Sequence, residues 1–293
     1  MTEILIPYDF SKYARRALAL AIQGYPFGKG KVLKVHHVID EHLYENILSK
    51  KAIPDEEIIV QALKDEIETV KASLPEGTEI PEIVVRADRG RPAKEILEAA
   101  ADSNAVGIMI GGQGHGGVKE RVLGRTALRV IREFEGDVYV VRDSFDGFVV
   151  PRRLCCAVDM SEISAKALKE AARLADENKM GFSLIKVTAN PYIPYLQRVA
   201  SDLHDEEAIR ELRDEDMARL KKFEKDTLGQ ERADTHNVVF GWVADTIISQ
   251  AQALNAGTIV MGARGLSAIS RALLGSVTEG VIARAHIDVL VVR

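Results

Sequence analysis

Aromatic residues are scarce in this chain of 293 residues, where phenylalanine, tryptophan and tyrosine together make up 5%. A stacking platform for single-stranded nucleic acid draws on several exposed rings, so this composition argues against one. Cysteine is nearly absent. Cys155 and Cys156 cannot build a disulfide framework, and adjacent residues on a strand point to opposite faces. They read as buried structural thiols. No apolar run approaches the roughly 18 residues of a membrane span, and the opening MTEILIPYDF lacks a basic segment ahead of an apolar signal core. Secretion and membrane insertion are disfavoured, and a cytoplasmic location is expected. Neither sign of charge dominates: 39 basic residues against 44 acidic leave a net charge of -5, the wrong sign for a broad nucleic-acid footprint. The seven histidines form no HExxH, no Cys/His cluster has metal spacing, and no Gly-x-Ser-x-Gly elbow appears.

What the chain does have is an internal repeat, and the repeat decides its organisation. Glu3–Asp9 reads as a strand, EILIPYD, followed by the helical SKYARRALALA; Arg153–Asp159, RLCCAVD, is followed by SEISAKALKEAARLA. At an offset of 150, Asp9 meets Asp159 and Ser11 meets Ser161. Each strand ends at an aspartate, and the serine is placed to cap the helix by accepting from its first free amides. Second strands follow at Lys31–Ile39 and Phe182–Thr188. Amphipathic helices come next, over Asp55–Lys71 and Asp205–Leu228, and their charges read as a solvated face.

From there the copies match at an offset of 151. Strands Ile83–Arg86 and Asn237–Phe240 lead through Gly90 and Gly241 to helices Pro92–Ala101 and Val243–Leu254. Strands Ala105–Ile110 and Thr258–Met261, helices near Val118–Phe134 and Ala268–Ala285, and final strands Val138–Val141 and Val289–Val292 complete each copy. Short apolar strands alternating with long helices predict an α/β fold with mainly parallel sheets and right-handed crossovers. Domains are expected at 1–145 and 153–293, joined through SFDGFVVPR. NPYIPY, Asn190–Tyr195, is expected to be a loop. Trp242 is expected to pack at a helix start near the second cleft, and His36 and His37 either line the first pocket or pack ordinarily.

Glycines carry the chemistry. The stretch MGARGLSAISRALLGSVTE holds Gly262, two residues, Gly265, nine residues, and then Gly275–Ser276 at the opening of a helical stretch. Glycine at a strand end lets backbone amides approach an anion without interference from a Cβ. A helix start adds free N–H groups and a favourable dipole. Ser276 offers a hydroxyl and Arg264 a charge, while Asp159 stands where the sugar or base of a nucleotide would lie. Each part alone has a plainer reading, since glycines end strands and aspartates cap helices. The loop GGQGHGG, starting at Gly111, contains no GKS or GKT, and the first strand of each unit is followed by DFSK or DMSE, not by GxGxxG. It either closes around a ligand or is flexible, with His115 either touching a phosphate or lying on the surface.

The whole arrangement resembles a tandem member of the universal stress protein family, over nearly the full chain. The family's ATP-binding signature is Gly, two residues, Gly, nine residues, and Gly followed by Ser or Thr; Gly262, Gly265, Gly275 and Ser276 meet it in full. The resemblance implies two tandem Rossmann-like, adenine nucleotide alpha hydrolase-like domains. Each would be a five-stranded, mainly parallel sheet of order 3-2-1-4-5 with helices on both faces. It further implies that Asp159 contacts the nucleoside, that Val187 lines the adenine pocket, and that Met261 and Val277 complete it. Ala157 stands where such first strands often carry a proline, which the first unit keeps as Pro7.

The first unit retains Asp9, Gly111, Gly114 and Gly124, but Arg125 replaces the small hydroxyl residue. Arg125 either pairs with a phosphate or fills the cradle with its bulk. The implied ligand is ATP, or ADP or AMP, with Mg as an optional companion. The implied partners are the chain's own two domains, paired through their terminal strands, and a second copy in a homodimer, with no nucleic acid and no membrane. A nucleotide-dependent stress-response module without a catalytic residue is the expected function. The alternatives are an interaction protein with degenerate cradles and a very weak ATP hydrolase.

Overall fold

The computed structural model describes residues 2–40, 54–113, 123–142, 149–189, 206–265 and 274–293. The chain divides into two compact units, Met1–Val150 and Pro151–Arg293. In the first unit, β1 (Glu3–Pro7), α1 (Lys12–Ile22), β2 (Val32–Ile39), α2 (Glu56–Ala72), β3 (Ile83–Arg89), α3 (Pro92–Asp102), β4 (Gly107–Gly111), α4 (Arg125–Glu133) and β5 (Asp137–Val141) follow in turn. The second unit repeats them as β6 (Arg153–Ala157), α5 (Glu162–Asn178), β7 (Gly181–Thr188), α6 (Glu206–Leu228), β8 (Thr235–Phe240), α7 (Val243–Ala253), β9 (Thr258–Gly262), α8 (Ser276–Arg284) and β10 (Asp288–Val292).

All described strand pairs within a unit are parallel. Their order is β3-β2-β1-β4-β5 in the first unit and β8-β7-β6-β9-β10 in the second, the order expected from the family. Interior strands are almost wholly apolar because helices cover both faces: β4 reads GIMIG and β9 reads TIVMG, buried almost end to end. In the first unit α1 packs on α2 and α3 on α4; the second unit repeats this with α5 on α6 and α7 on α8. Leu18 on α1 and Leu168 on α5 are fully buried. Each is worth about 1.5–3 kcal/mol relative to exposure. Among the described residues no helix is long and apolar enough to cross a membrane.

Local chemistry sets the element ends. Ser11 accepts from the Ala14 amide and Ser161 from the Ser164 amide, as N-caps should. Asn104 and Asn255, each just past a helix end, take the left-handed conformation at φ 51°, which asparagine tolerates. Gly90 and Gly241, at φ 148° and 155°, turn the chain into α3 and α7, a conformation open to a residue without a Cβ. Their amides bond to the last carbonyls of β2 and β7, Ile39 and Thr188.

Three expectations need correction. β1 stops at Pro7 rather than Asp9, because the chain turns sharply: Phe10 sits at φ 63° and, in the second unit, Met160 at φ 69°. The described helices α4 and α8 begin only at Arg125 and Ser276, directly after Gly124 and Gly275, which are their N-caps. Residues 118–122 and 268–273, and the NPYIPY segment, lie outside the described residues. Trp242 does not pack: it is 71% exposed at the N-cap of α7, where the backbone leaves its ring facing solvent.

Candidate functional site

In each unit the chain runs from the central strand outward to one edge, then returns to the strand on the other side. β1 is flanked by β2 and β4, and β6 by β7 and β9. The crevice beyond the carboxyl ends of such strands is where an α/β sheet takes its ligands. A cleft lies at that place in both units.

The second unit's cleft has a volume of about 240 Å³. Ala157, Asp159, Val187, Met261, Gly262, Arg264, Gly265, Gly275, Ser276 and Val277, the candidate binding residues of the second unit, all line it. Asp159 is fixed two residues beyond β6, its Oδ1 accepting from the Ser161 amide at 3.0 Å. The left-handed turn at Met160 lets that carboxylate face the cleft mouth while Ser161 still caps α5. Opposite, the Ala263 amide bonds to the Val292 carbonyl and the Gly275 amide to the Ala263 carbonyl, both at 2.8 Å, tying the cradle to β10. Thr278, buried in the first turn of α8, donates its hydroxyl to the Gly262 carbonyl at 2.9 Å. These bonds hold the first turn of α8, whose leading amides have no acceptor within the helix, against the cleft.

The glycines matter for space rather than for backbone angle. Gly275 sits at φ -69°, which any residue can adopt. A Cβ on Gly262 would press 2.7 Å from the Ile163 side chain, and one on Gly265 would overlap the Asp159 carboxylate.

The first unit's cleft is larger, about 470 Å³. Asp9, Gly111, Gly124 and Arg125 line it, whereas Gly114 and His115 lie outside the described residues. The cradle repeats the second unit's bonds: the Gly112 amide to the Val141 carbonyl and the Gly124 amide to the Gly112 carbonyl, both at 2.9 Å. Arg125 is an exposed residue that lines this open cleft. Thr278 has its counterpart in Ala127, which lines the cleft without a hydroxyl.

Several lining residues escaped the sequence reading. Pro92 and Ile96 on α3, and Val243 and Ile247 on α7, roof the two clefts. Their spacing of four along a helix, repeated at the offset of 151, was the available signal. The counterpart of Val187 is Val38, because β2 and β7 align one residue differently from β1 and β6: Glu3 pairs with Val32 and Arg153 with Gly181. His36 and His37 do line the first cleft. His36 bonds through Nε2 to Asp88 Oδ2 at 2.8 Å, and burial, opposed by that carboxylate, lowers its pKa to about 4. His37 Nδ1 lies 2.7 Å from the Tyr8 carbonyl, and burial also lowers its pKa. Cys155 and Cys156 are free, fully buried thiols away from both clefts; burial pushes Cys155 up to about 12.

Two doubly wound α/β units, each with a glycine-lined cleft at the switch in its strand order, define the class of protein. The family model for the universal stress proteins matches residues 1–142 and again 151–293, and the chain belongs to that family. A universal stress protein of Methanocaldococcus jannaschii is 31% identical over 145 residues, 48% of this chain and 82% of its own length. One from Thermus aquaticus is 31% identical over 139 residues, 47% of this chain and 97% of its own. A solved universal stress protein from Archaeoglobus fulgidus shares the fold over 99% of this chain and 98% of its own, with a TM-score of 0.63 at 22% identity.

Proposed function

We propose that this chain is an adenine-nucleotide-binding stress-response module whose two clefts take ATP, ADP or AMP. The observation that carries this reading is the convergence of Asp159 with Gly262, Gly265, Gly275 and Ser276 on one cleft, in the order of the family's ATP-binding signature. The chemistry fits the ligand. Leading amides of α8 and the Ser276 hydroxyl are donors for phosphate oxygens, with Arg264 adding charge. Asp159, a carboxylate, is suited to the hydroxyls of a ribose, and Val187, Met261 and Val277 supply apolar surface for a base. Glycine at 262 and 265 keeps the space that a side chain would occupy.

The first cleft supports the same reading through its volume and through Arg125, whose fork suits phosphate. Arg125 is exposed and has charge to offer at the cradle. Binding would favour whichever state closes the cradle around the phosphates, so a nucleotide shifts populations without turnover. Cytoplasmic action and association through the terminal strands, within a chain or between copies, belong to this proposal.

The test is calorimetry or native mass spectrometry with ATP on the intact protein and on Gly275 and Ser276 variants. Binding weakened by those changes supports the reading, and no adenine nucleotide bound at millimolar concentration sinks it. Arg125→Ser separates the two roles of that side chain. A loss of first-site affinity marks a phosphate ligand, whereas a newly gained binding event marks a blocking group. Analytical ultracentrifugation with and without ATP reads the association.

A further inference from the structure

The first cleft carries a buried polar atom without a hydrogen-bond partner among the described residues. His36 lies on β2, 1% exposed, and lines the cleft together with Pro92 and Ile96. Its Nε2 is 2.8 Å from Asp88 Oδ2, and Arg86 holds the same carboxylate oxygen at 2.5 Å. An ionised carboxylate only accepts, so Nε2 carries the imidazole proton and Nδ1 presents a lone pair. That Nδ1 is buried and has no hydrogen-bond partner among the described residues. Buried acceptors are nearly always satisfied, and one left open in a ligand-sized cleft marks the place of a ligand's N–H.

A second orphan lies across the cleft. Gln113 follows β4; its Oε1 accepts from the Tyr13 hydroxyl at 2.7 Å, and its buried Nε2 has no partner among the described residues. β1 separates β2 from β4, so the two orphans are about two strand spacings apart, roughly 10 Å. The cleft therefore offers an acceptor at its β2 side and a donor beside Gly124 and Arg125. A molecule that donates at one end and carries anionic oxygens at the other matches both. A 6-aminopurine nucleotide is such a molecule, its exocyclic amine being a donor where a 6-oxopurine has an acceptor.

We propose that His36 makes the first cleft selective for a 6-aminopurine nucleotide over its 6-oxo counterpart, by accepting from the amine at Nδ1. This rests on the nucleotide reading above and adds to it a base preference confined to one unit. In the second unit the ladder places Ile185 at the equivalent position: the Tyr8 amide bonds to the His36 carbonyl, and the Val158 amide to the Ile185 carbonyl. Ile185 has no side-chain acceptor, so the second cleft lacks this means of discrimination.

The experiment is calorimetry with ATP and with inosine triphosphate on the full chain carrying Gly265→Val, chosen to disable the second cleft by crowding Asp159. A stoichiometry of one reports the first cleft. ATP is expected to bind about tenfold more tightly than the inosine nucleotide, the worth of one buried hydrogen bond. His36→Leu should remove that ratio by weakening ATP while leaving inosine triphosphate within about twofold. Equal affinities with His36 intact overturn the proposal without any need for a folded His36 variant, as does an unchanged ratio in a folded His36→Leu chain. In both cases the nucleotide reading survives. If neither nucleotide binds, this proposal falls, and ATP titration of the wild-type chain, whose second cleft is intact, decides whether the nucleotide reading falls with it.

Discussion

Gly265 lies against the carboxylate of Asp159, so closely that a Cβ on Gly265 would fall inside the van der Waals envelope of Oδ2. Asp159 cannot simply swing aside, because its Oδ1 accepts from the Ser161 amide beside the α5 N-cap. Gly265→Ala should therefore displace the carboxylate or the loop that faces it. Second-site affinity for ATP should fall by about tenfold or more, in line with a misplaced binding group. Thermal unfolding should change little, since the cleft is open. Calorimetry that returns wild-type affinity would show that Asp159 plays no part in holding the ligand.

The signature glycines of the first unit differ in what they tolerate. A Cβ on Gly111 would lie 2.9 Å from the Tyr13 Cβ on α1, a position fixed by a packed helix, whereas one on Gly124 meets only the Gly112 carbonyl at 3.7 Å. Gly111→Ala should cost about 1–3 kcal/mol as overpacking. Gly124 has φ -64° at the N-cap of α4, an angle and a position that suit serine. Gly124→Ser should leave stability unchanged or raise it by a few tenths of a kcal/mol, while its hydroxyl competes with a phosphate for the α4 amides. Urea unfolding and nucleotide titration, run on both variants, separate the two effects.

The parts of this protein that were legible in the sequence are those written in local chemistry. Ser11 and Ser161 cap helices as their positions suggest, and the apolar runs at Ile108 and Ile259 are buried strands. The pairing of Gly262 with Gly275 across an intervening segment was legible because the family spacing encodes it. What stayed hidden depends on counts that periodicity does not register. In the first unit α1 stops at Ile22 and a connection containing Gly24, Gly28 and Gly30, all at positive φ, leads to β2. In the second unit α5 runs on to Asn178 and reaches β7 almost at once, through Lys179 at φ 52°. The net difference of one residue makes Val38, and not His37, the partner of Val187 in the second cleft. Nor does sequence reveal that the Nδ1 of His36 has no partner among the described residues, because that follows from Asp88 on the neighbouring strand engaging Nε2.

His36 also makes stability depend on pH. Burial, with Arg86 and Lys34 adding to it and Asp88 opposing it, lowers its pKa to about 4 from 6.5. In the window between those values the unfolded chain binds a proton that the folded chain refuses, so stability rises with pH. The contribution is fully present above the unfolded pKa and is lost as pH falls through the folded one. It amounts to roughly 3 kcal/mol at most by the pKa difference. His37, lowered in the same direction by burial, adds to the slope. Urea unfolding at neutral pH and near pH 4.5, compared between wild type and His36→Leu, should show a smaller pH effect in the variant. An identical pH dependence would mean that folding leaves the proton affinity of His36 unchanged.

Glu224 is fully buried, yet its side chain is committed on every side. Oε1 accepts from the Arg232 and Ala233 amides at 2.8 and 2.7 Å, and Oε2 lies 2.6 Å from His236 Nε2. These bonds pin α6 to the start of β8, away from the residues that line the second cleft. Glu224→Ala would strand two backbone donors and the imidazole together, which should cost about 3–5 kcal/mol, the scale of breaking a buried pair from one side. Glu224→Gln keeps an oxygen for the two amides but turns a donor toward His236. The imidazole answers by presenting its unprotonated Nε2, so the loss should be smaller, about 1–3 kcal/mol. Both variants, measured by urea unfolding and then titrated with ATP where folded, should retain second-site affinity. A variant that stays stable but loses ATP would instead couple this connection to the cleft.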